Sequence, residues 1–185
     1  FNSDLSRIAP GLEKYSQCVL CVARIEGLKN QLNLVRAMKD LPWTLLLIGK
    51  PAPNHIRYYN QIKKEAPSNT YVIGYIDHYI LPQYYKIAKV HALVSWMETT
   101  GLSSLEAAAM GCNIVITEKG DTRDYFGNYA FYCQPDSIES IRNAIVKAHE
   151  TPVDPQLREH ILNNFTWEKA AEKTLEGYKL ALESR

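Results

Sequence analysis

The stretch VHALVSWMETTGLSSLEAAAMGCNIVIT, residues 90–117, decides the fold. Its first part, "VHALVS" (90–95), and its last, "NIVIT" (113–117), are short apolar runs without apolar/polar alternation, the pattern of strands buried on both faces. Between them "LSSLEAAAM" (102–110) predicts a helix that stops at Gly111. Strand, helix and strand in that order predict two parallel strands joined by a right-handed crossover.

The same alternation extends outward in both directions. Further strands are predicted at "CVLCVA" (18–23), "WTLLLIG" (43–49, closed by Gly49), "TYVIG" (70–74) and "AFYC" (130–133). Helices are predicted over 30–41, 55–66, 79–88, 137–149, 155–163 and 167–183. In the first of these, Leu32, Val35, Met38 and Leu41 recur at helical spacing. The expected fold is an α/β domain, a doubly wound parallel sheet of Rossmann-like type, with 1–185 as a single domain. Ligands of such sheets bind beyond the carboxyl ends of the strands. That singles out the loops 24–29, 49–54, 74–78, 96–101 and 117–124. The last helix carries a stripe of Trp167, Ala171, Leu175, Tyr178 and Leu182 behind a Thr166 cap. Packing on this domain and packing against a neighbour both fit that stripe.

Composition narrows the function. Net charge is +1 over 185 residues, so no nucleic-acid partner is expected from charge. No apolar run approaches the ~20 residues of a membrane span. Cys18 and Cys21 form a C-x-x-C, but on a strand positions three apart face opposite ways, so they cannot share a metal. Four buried-looking cysteines without a disulfide pattern fit a reducing compartment.

The strand-end loops carry the chemistry. G-x-G-x-x-G, G-x-x-x-x-G-K-[ST], G-x-S-x-G, H-E-x-x-H and D-x-D are all missing, which argues against the usual dinucleotide, P-loop, hydrolase and metal-diphosphate sites. In "ARIEGLKN" (23–30), Arg24 and Lys29 suit an anion such as pyrophosphate; a solvated surface pair is the plainer alternative. In "METTGLSSLE" (97–106), a Thr100 cap would leave the amides near Gly101, Leu102 and Ser103 free for an anion. Glu106, in the second turn, leans back toward the same ligand. It cannot serve the anion, because like charges repel, but a carboxylate accepts well from vicinal sugar hydroxyls. Glu98 flanks the other side. An anion between two polyol-binding carboxylates matches ribose, diphosphate and hexose in a nucleotide-sugar.

From about residue 17 onward the chain resembles the C-terminal, donor-binding domain of GT-B retaining glycosyltransferases of glycosyltransferase family 4 (glycosyl transferases group 1). Glu98 and Glu106 match the family's E-x7-E motif within "LVSWMETTGLSSLEAAAMG", and "ARIEGLKNQ" matches its Arg and Lys pair. Ala23 stands where the family commonly has Gly, and Asn113 where it commonly has Pro. The resemblance implies that Arg24 and Lys29 neutralise the diphosphate and that Glu98 orients the hexose. The implied donor site comprises Gly49, the Tyr75 and Ile76 backbone beside the base, Thr99, Thr100, Gly101 and Leu102, with Glu106 on the ribose. It implies retention of anomeric configuration, a UDP- or GDP-type donor, no cofactor and no metal. It also implies a cytoplasmic hexosyltransferase of envelope or exopolysaccharide biosynthesis, with peripheral membrane association left open. The chain opens on Phe1, about where an interdomain link would end. An N-terminal acceptor domain is therefore expected in cis, and 1–185 alone is expected to bind donor weakly without turnover. A GT-B epimerase and a non-catalytic nucleotide-binding module are the rivals.

Overall fold

The computed structural model describes residues 8–183. The two ends of the 1–185 assignment lie outside that range. Six strands, β1 (Cys18–Val22), β2 (Leu45–Ile48), β3 (Thr70–Gly74), β4 (Ala88–Leu93), β5 (Asn113–Thr117) and β6 (Phe131–Cys133), form one sheet in the order β3-β2-β1-β4-β5-β6. Every pairing is parallel. From β1 the chain winds outward to β3, then returns to β4 beside β1 and winds the other way. The strand ends of β1 and β4 therefore flank the topological switch point, where such sheets open a crevice.

Among the described residues seven α-helices cover the faces, α1 (Gln31–Ala37), α2 (Ile56–Glu65), α3 (Leu81–Ile87), α4 (Leu102–Ala109), α5 (Thr122–Phe126), α6 (Ile138–Glu150) and α7 (Pro155–Asn164), and an eighth, α8 (Trp167–Glu183), follows them. The pleat sends alternate strand residues into two separate cores. Val19, Cys21, Leu45, Leu47 and Val115 meet α1, α2 and α6 on one face. Cys18, Leu20, Leu46, Ile48, Ile114 and Ile116 meet α3, α4, α5 and α7 on the other. Each such side chain contributes about 1.5–3 kcal/mol through removal from water. Cys18 and Cys21 thus point to opposite faces, as their spacing on a strand requires, and burial pushes both thiols up to about 12.

The helix in 30–41 ends early, at Ala37, because Met38 to Asp40 turn, with Asp40 at φ 61. The strand predicted at 43–49 is confined to 45–48, and the one predicted at 90–95 is displaced to 88–93. Helix α5 was not predicted; only Thr122 and Phe126 among its five residues are buried, too few to show a period. Of the two readings of the last helix, packing on this domain is ruled out. No residue of α8 is buried, and Trp167 is 81% and Leu182 71% exposed. Thr166 does cap it, its hydroxyl accepting from Lys169 N–H at 3.3 Å. No described helix is long and apolar enough to cross a membrane.

One buried polar side chain gives the fold a pH dependence. His91 on β4 is fully enclosed; its Nε2 accepts from Val22 N–H at 3.4 Å and its Nδ1 lies 3.2 Å from Ser104 Oγ. Desolvation lowers its pKa to about 3. Between that value and the ~6.5 of an unfolded histidine, only the unfolded chain holds the proton. Stability is then complete above about pH 6.5 and is lost as pH falls toward 3, by about 2 kcal/mol at pH 5. Urea unfolding at pH 7 and pH 5 should show this loss in the natural chain and a clearly smaller one in His91→Gln. Equal losses would exclude His91 as the source.

Candidate functional site

The loops after β1 and β4 are joined at the switch point by three kinds of contact. Trp96 N–H donates to Leu28 O at 2.9 Å. Asn30, in the left-handed region at φ 57, donates its side-chain amide to Val94 O (3.0 Å) and Pro135 O (2.7 Å). Lys29 Nζ donates to Glu98 Oε1 at 2.6 Å, and Ser95 Oγ donates to the same oxygen at 2.5 Å. The Lys29 side chain is 19% exposed and that of Glu98 7%, so this pair is largely withdrawn from water.

Arg24 behaves differently from Lys29 although both follow β1. Its guanidinium is 73% exposed and lies 3.2 Å from Glu26 Oε1, without hydrogen-bond geometry to that otherwise unpartnered buried oxygen. The sequence treated Arg24 and Lys29 as one cationic pair. The fold instead gives an exposed, fork-shaped cation and a recessed ammonium held by a carboxylate.

The start of α4 differs from expectation in one respect. Thr100 is not the cap: the N-cap is Gly101 at φ 64, without a capping side chain, and the Thr100 hydroxyl lies 3.3 Å from Tyr125 Oη. The physical reason is the sharp entry into the helix, which needs a left-handed residue between Thr100 and Leu102. The helix start still has no capping side chain. Ser104 and Leu105 donate back to Gly101 O, while the amides of Gly101, Leu102 and Ser103 find no acceptor among the described residues. They are the outward-facing donors of a helix terminus that attracts anions.

Glu106 stands one turn further along α4, half-buried. Tyr85 Oη donates to its Oε2 at 2.9 Å, and His78 Nε2 lies 2.9 Å from its Oε1. On the far side, Glu98 is fixed through its main chain as well. Its N–H donates to Lys119 O, and its carbonyl accepts from Asp121 N–H, both at 3.0 Å. The two glutamates therefore lie either side of the free amides, each held by partners from distant segments.

The remaining predicted residues rim the same end of the sheet. Gly49 N–H donates to Gly74 O at 2.8 Å, and the backbone of Gly49 passes against Ala23 just before Arg24. Tyr75 is exposed, with Lys50 Nζ 4.4 Å above its ring; a hydrogen bond with Asp77 raises its pKa. Ile76 is half-buried against the α3 face. Thr99 and Leu102 are exposed. Sequence reasoning singled out the loops 74–78 and 117–124 but assigned no role to His78 or to residues 119–121 within them, and it missed Ser95 and Tyr85. Ser95 had a signal, three residues before Glu98 at a strand end; Tyr85, inside a helix, had none.

The surroundings suit a polar, anionic ligand flanked by hydroxyl groups. Among the described residues, no group of three or more His, Cys, Asp or Glu side chains stands together in a way that could hold a metal ion.

Comparison with known proteins bears on the family and the fold. The family model described as "Glycosyl transferases group 1" matches residues 3–166. The chain is 26% identical over 175 residues to the glycogen synthase of Mycobacterium tuberculosis, covering 88% of this chain and 42% of that one. It is 23% identical over 189 residues to the O-antigen chain mannosyltransferase B of Escherichia coli, with 92% and 49% coverage. Anabaena HepE, solved in complex with UDP and glucose, superposes with a TM-score of 0.71 at 19% identity, over 94% of this chain and 50% of that one. The chain thus spans less than half the length of these curated relatives.

Proposed function

The chain belongs to the glycosyl transferases group 1 family, and on that premise we propose that it is the donor-binding half of a retaining hexosyltransferase. It holds a nucleoside-diphosphate sugar, and the complete enzyme passes the hexosyl unit to a glycan or lipid-linked acceptor. The observation that carries this reading is the row of free amides at Gly101, Leu102 and Ser103 between the two held carboxylates, Glu98 and Glu106. The amides and the cations of Arg24 and Lys29 receive the diphosphate. Glu106 takes the ribose hydroxyls and Glu98 those of the hexose, while the Tyr75 and Ile76 segment lies toward the base. That HepE, which shares the fold, was solved with UDP and glucose supports a nucleotide-sugar as the ligand class.

Chemically, the leaving group is a nucleoside diphosphate that gains negative charge as the glycosidic bond breaks. Donors fixed in advance at that position stabilise the transition state more than the ground state. Helix-terminus amides, Lys29 and Arg24 do this without a metal. Glu98, engaged by Lys29 and Ser95, orients the sugar. Transfer occurs on the face the nucleotide leaves, with retention. The E. coli relative's name is in keeping with a role in envelope or exopolysaccharide synthesis; a cytoplasmic site of action and an acceptor half in the same chain are part of the proposal. The present chain alone then binds donor weakly and does not turn over.

Calorimetric titration of UDP, GDP and ADP tests the site. One of them should bind, and Glu106→Ala should weaken it about tenfold, the worth of hydrogen bonds to a charged acceptor. Failure of all three to bind a folded chain would overturn the donor-site reading.

A further inference from the structure

Glu106 has two polar partners of opposite character. Tyr85 is buried on α3, its ring edge toward His91 at 5.9 Å between centroids. Burial first, and the adjoining Glu106 carboxylate second, push its phenol far above the ordinary tyrosine range, so it stays a proton donor. His78, in the loop after β3, is exposed. The carboxylate is therefore tied through Oε2 to the interior and through Oε1 to a group at the surface.

We propose that Tyr85 is a positioning residue for ribose recognition: its hydroxyl locks the Glu106 carboxylate in the orientation that accepts a vicinal diol, while His78 lies on the side from which that diol enters. This rests on the assignment of Glu106 to the ribose. Each carboxylate oxygen offers two lone pairs. Tyr85 uses one on Oε2, leaving one there and those of Oε1 for two hydroxyls once His78 swings aside. Without Tyr85 the carboxylate rotates about its last side-chain bonds, and the diol must order it on binding. Tyr85 thus serves the sugar of the nucleotide and not its phosphates.

The test compares UDP with 2′-deoxy-UDP, and GDP with 2′-deoxy-GDP, using inorganic pyrophosphate as a probe of the anion seat alone. The unaltered chain should favour the ribonucleotide about tenfold. Tyr85→Phe, which keeps the buried ring, should bring that ratio near one and leave pyrophosphate affinity unchanged. His78→Ala should keep the preference. In a Glu106→Ala background, Tyr85→Phe should have no further effect on the ratio, which a general loosening of the fold would not reproduce. A preference that persists in Tyr85→Phe, or a parallel loss of pyrophosphate binding, overturns this inference alone. No preference in the unaltered chain overturns the ribose assignment of Glu106 with it.

Discussion

Lys29→Met is expected to destabilise the fold by about 3 kcal/mol, whereas Arg24→Met, five residues earlier, costs under about 0.5 kcal/mol. Both changes delete one positive charge from one loop. The difference lies in what each leaves behind. Losing Lys29 strands Glu98, whose side chain is 7% exposed and keeps only the Ser95 hydroxyl as a partner for Oε1. An uncompensated charge so far withdrawn from water costs several kcal/mol. Arg24 is solvated, and its contact with Glu26 is screened. Adding Glu98→Gln to Lys29→Met should recover most of the loss, because a neutral amide oxygen still accepts from Ser95. Urea unfolding of the four proteins checks this. Equal costs for the two single variants would mean the Lys29–Glu98 pair does not support the fold. Donor binding separates differently: if the proposed donor site holds, both Arg24→Met and Lys29→Met should weaken nucleoside-diphosphate binding, since that proposal gives both cations to the diphosphate. Glu98→Gln in the complete enzyme should lower turnover or donor affinity, and no change in either would refute a sugar contact there.

Gly120→Ala is expected to cost at least about 4 kcal/mol and to displace Glu98. A Cβ at residue 120 would lie 1.9 Å from Glu98 O and 2.9 Å from Glu98 C, both backbone atoms that cannot rotate away. The backbone there is also left-handed, at φ +94. Gly49→Ala should be as damaging, for its Cβ would lie 1.8 Å from Ala23 O, directly before Arg24. Gly111→Ala separates the two causes. Its φ is +90, but nothing lies within 4 Å of a built Cβ, so only the left-handed penalty of about 1 kcal/mol applies. Thermal and urea melts of the three alanine variants measure these costs. Similar values for all three would show that close approach is not what fixes glycine at positions 49 and 120. Gly49 thus acts on the site through the backbone, placing the loop that carries Arg24.

Much of the fold was legible because it depends on local pattern. Continuous apolar runs such as "LLLI" and "NIVIT", too short for a buried helix and bounded by turn residues, read as strands of a sheet covered on both sides. Helical spacing in the intervening segments supplies the cover. Where prediction slipped, a local competitor won. Gly101 displaced Thr100 as the cap because the chain direction demanded a left-handed residue. Met38 to Asp40 ended α1 before its apolar spacing ran out.

The candidate site was legible only where its parts are close in the chain. Glu98, Gly101 and Glu106 share one loop and one helix, so helix geometry alone relates them. By itself the sequence determined the alternating architecture and the strand ends at its carboxyl edge, and it set Glu98 and Glu106 either side of a bare helix start. Only the tertiary structure decided which distant groups hold those carboxylates. The strand order sets β1 against β4, and so brings Lys29 to Glu98 across 69 residues. Packing of α3 against α4 brings Tyr85 to Glu106 across 21. The physical reason is that periodicity reports which face of an element is apolar. The partner of a polar side chain is set by which elements the common core forces together.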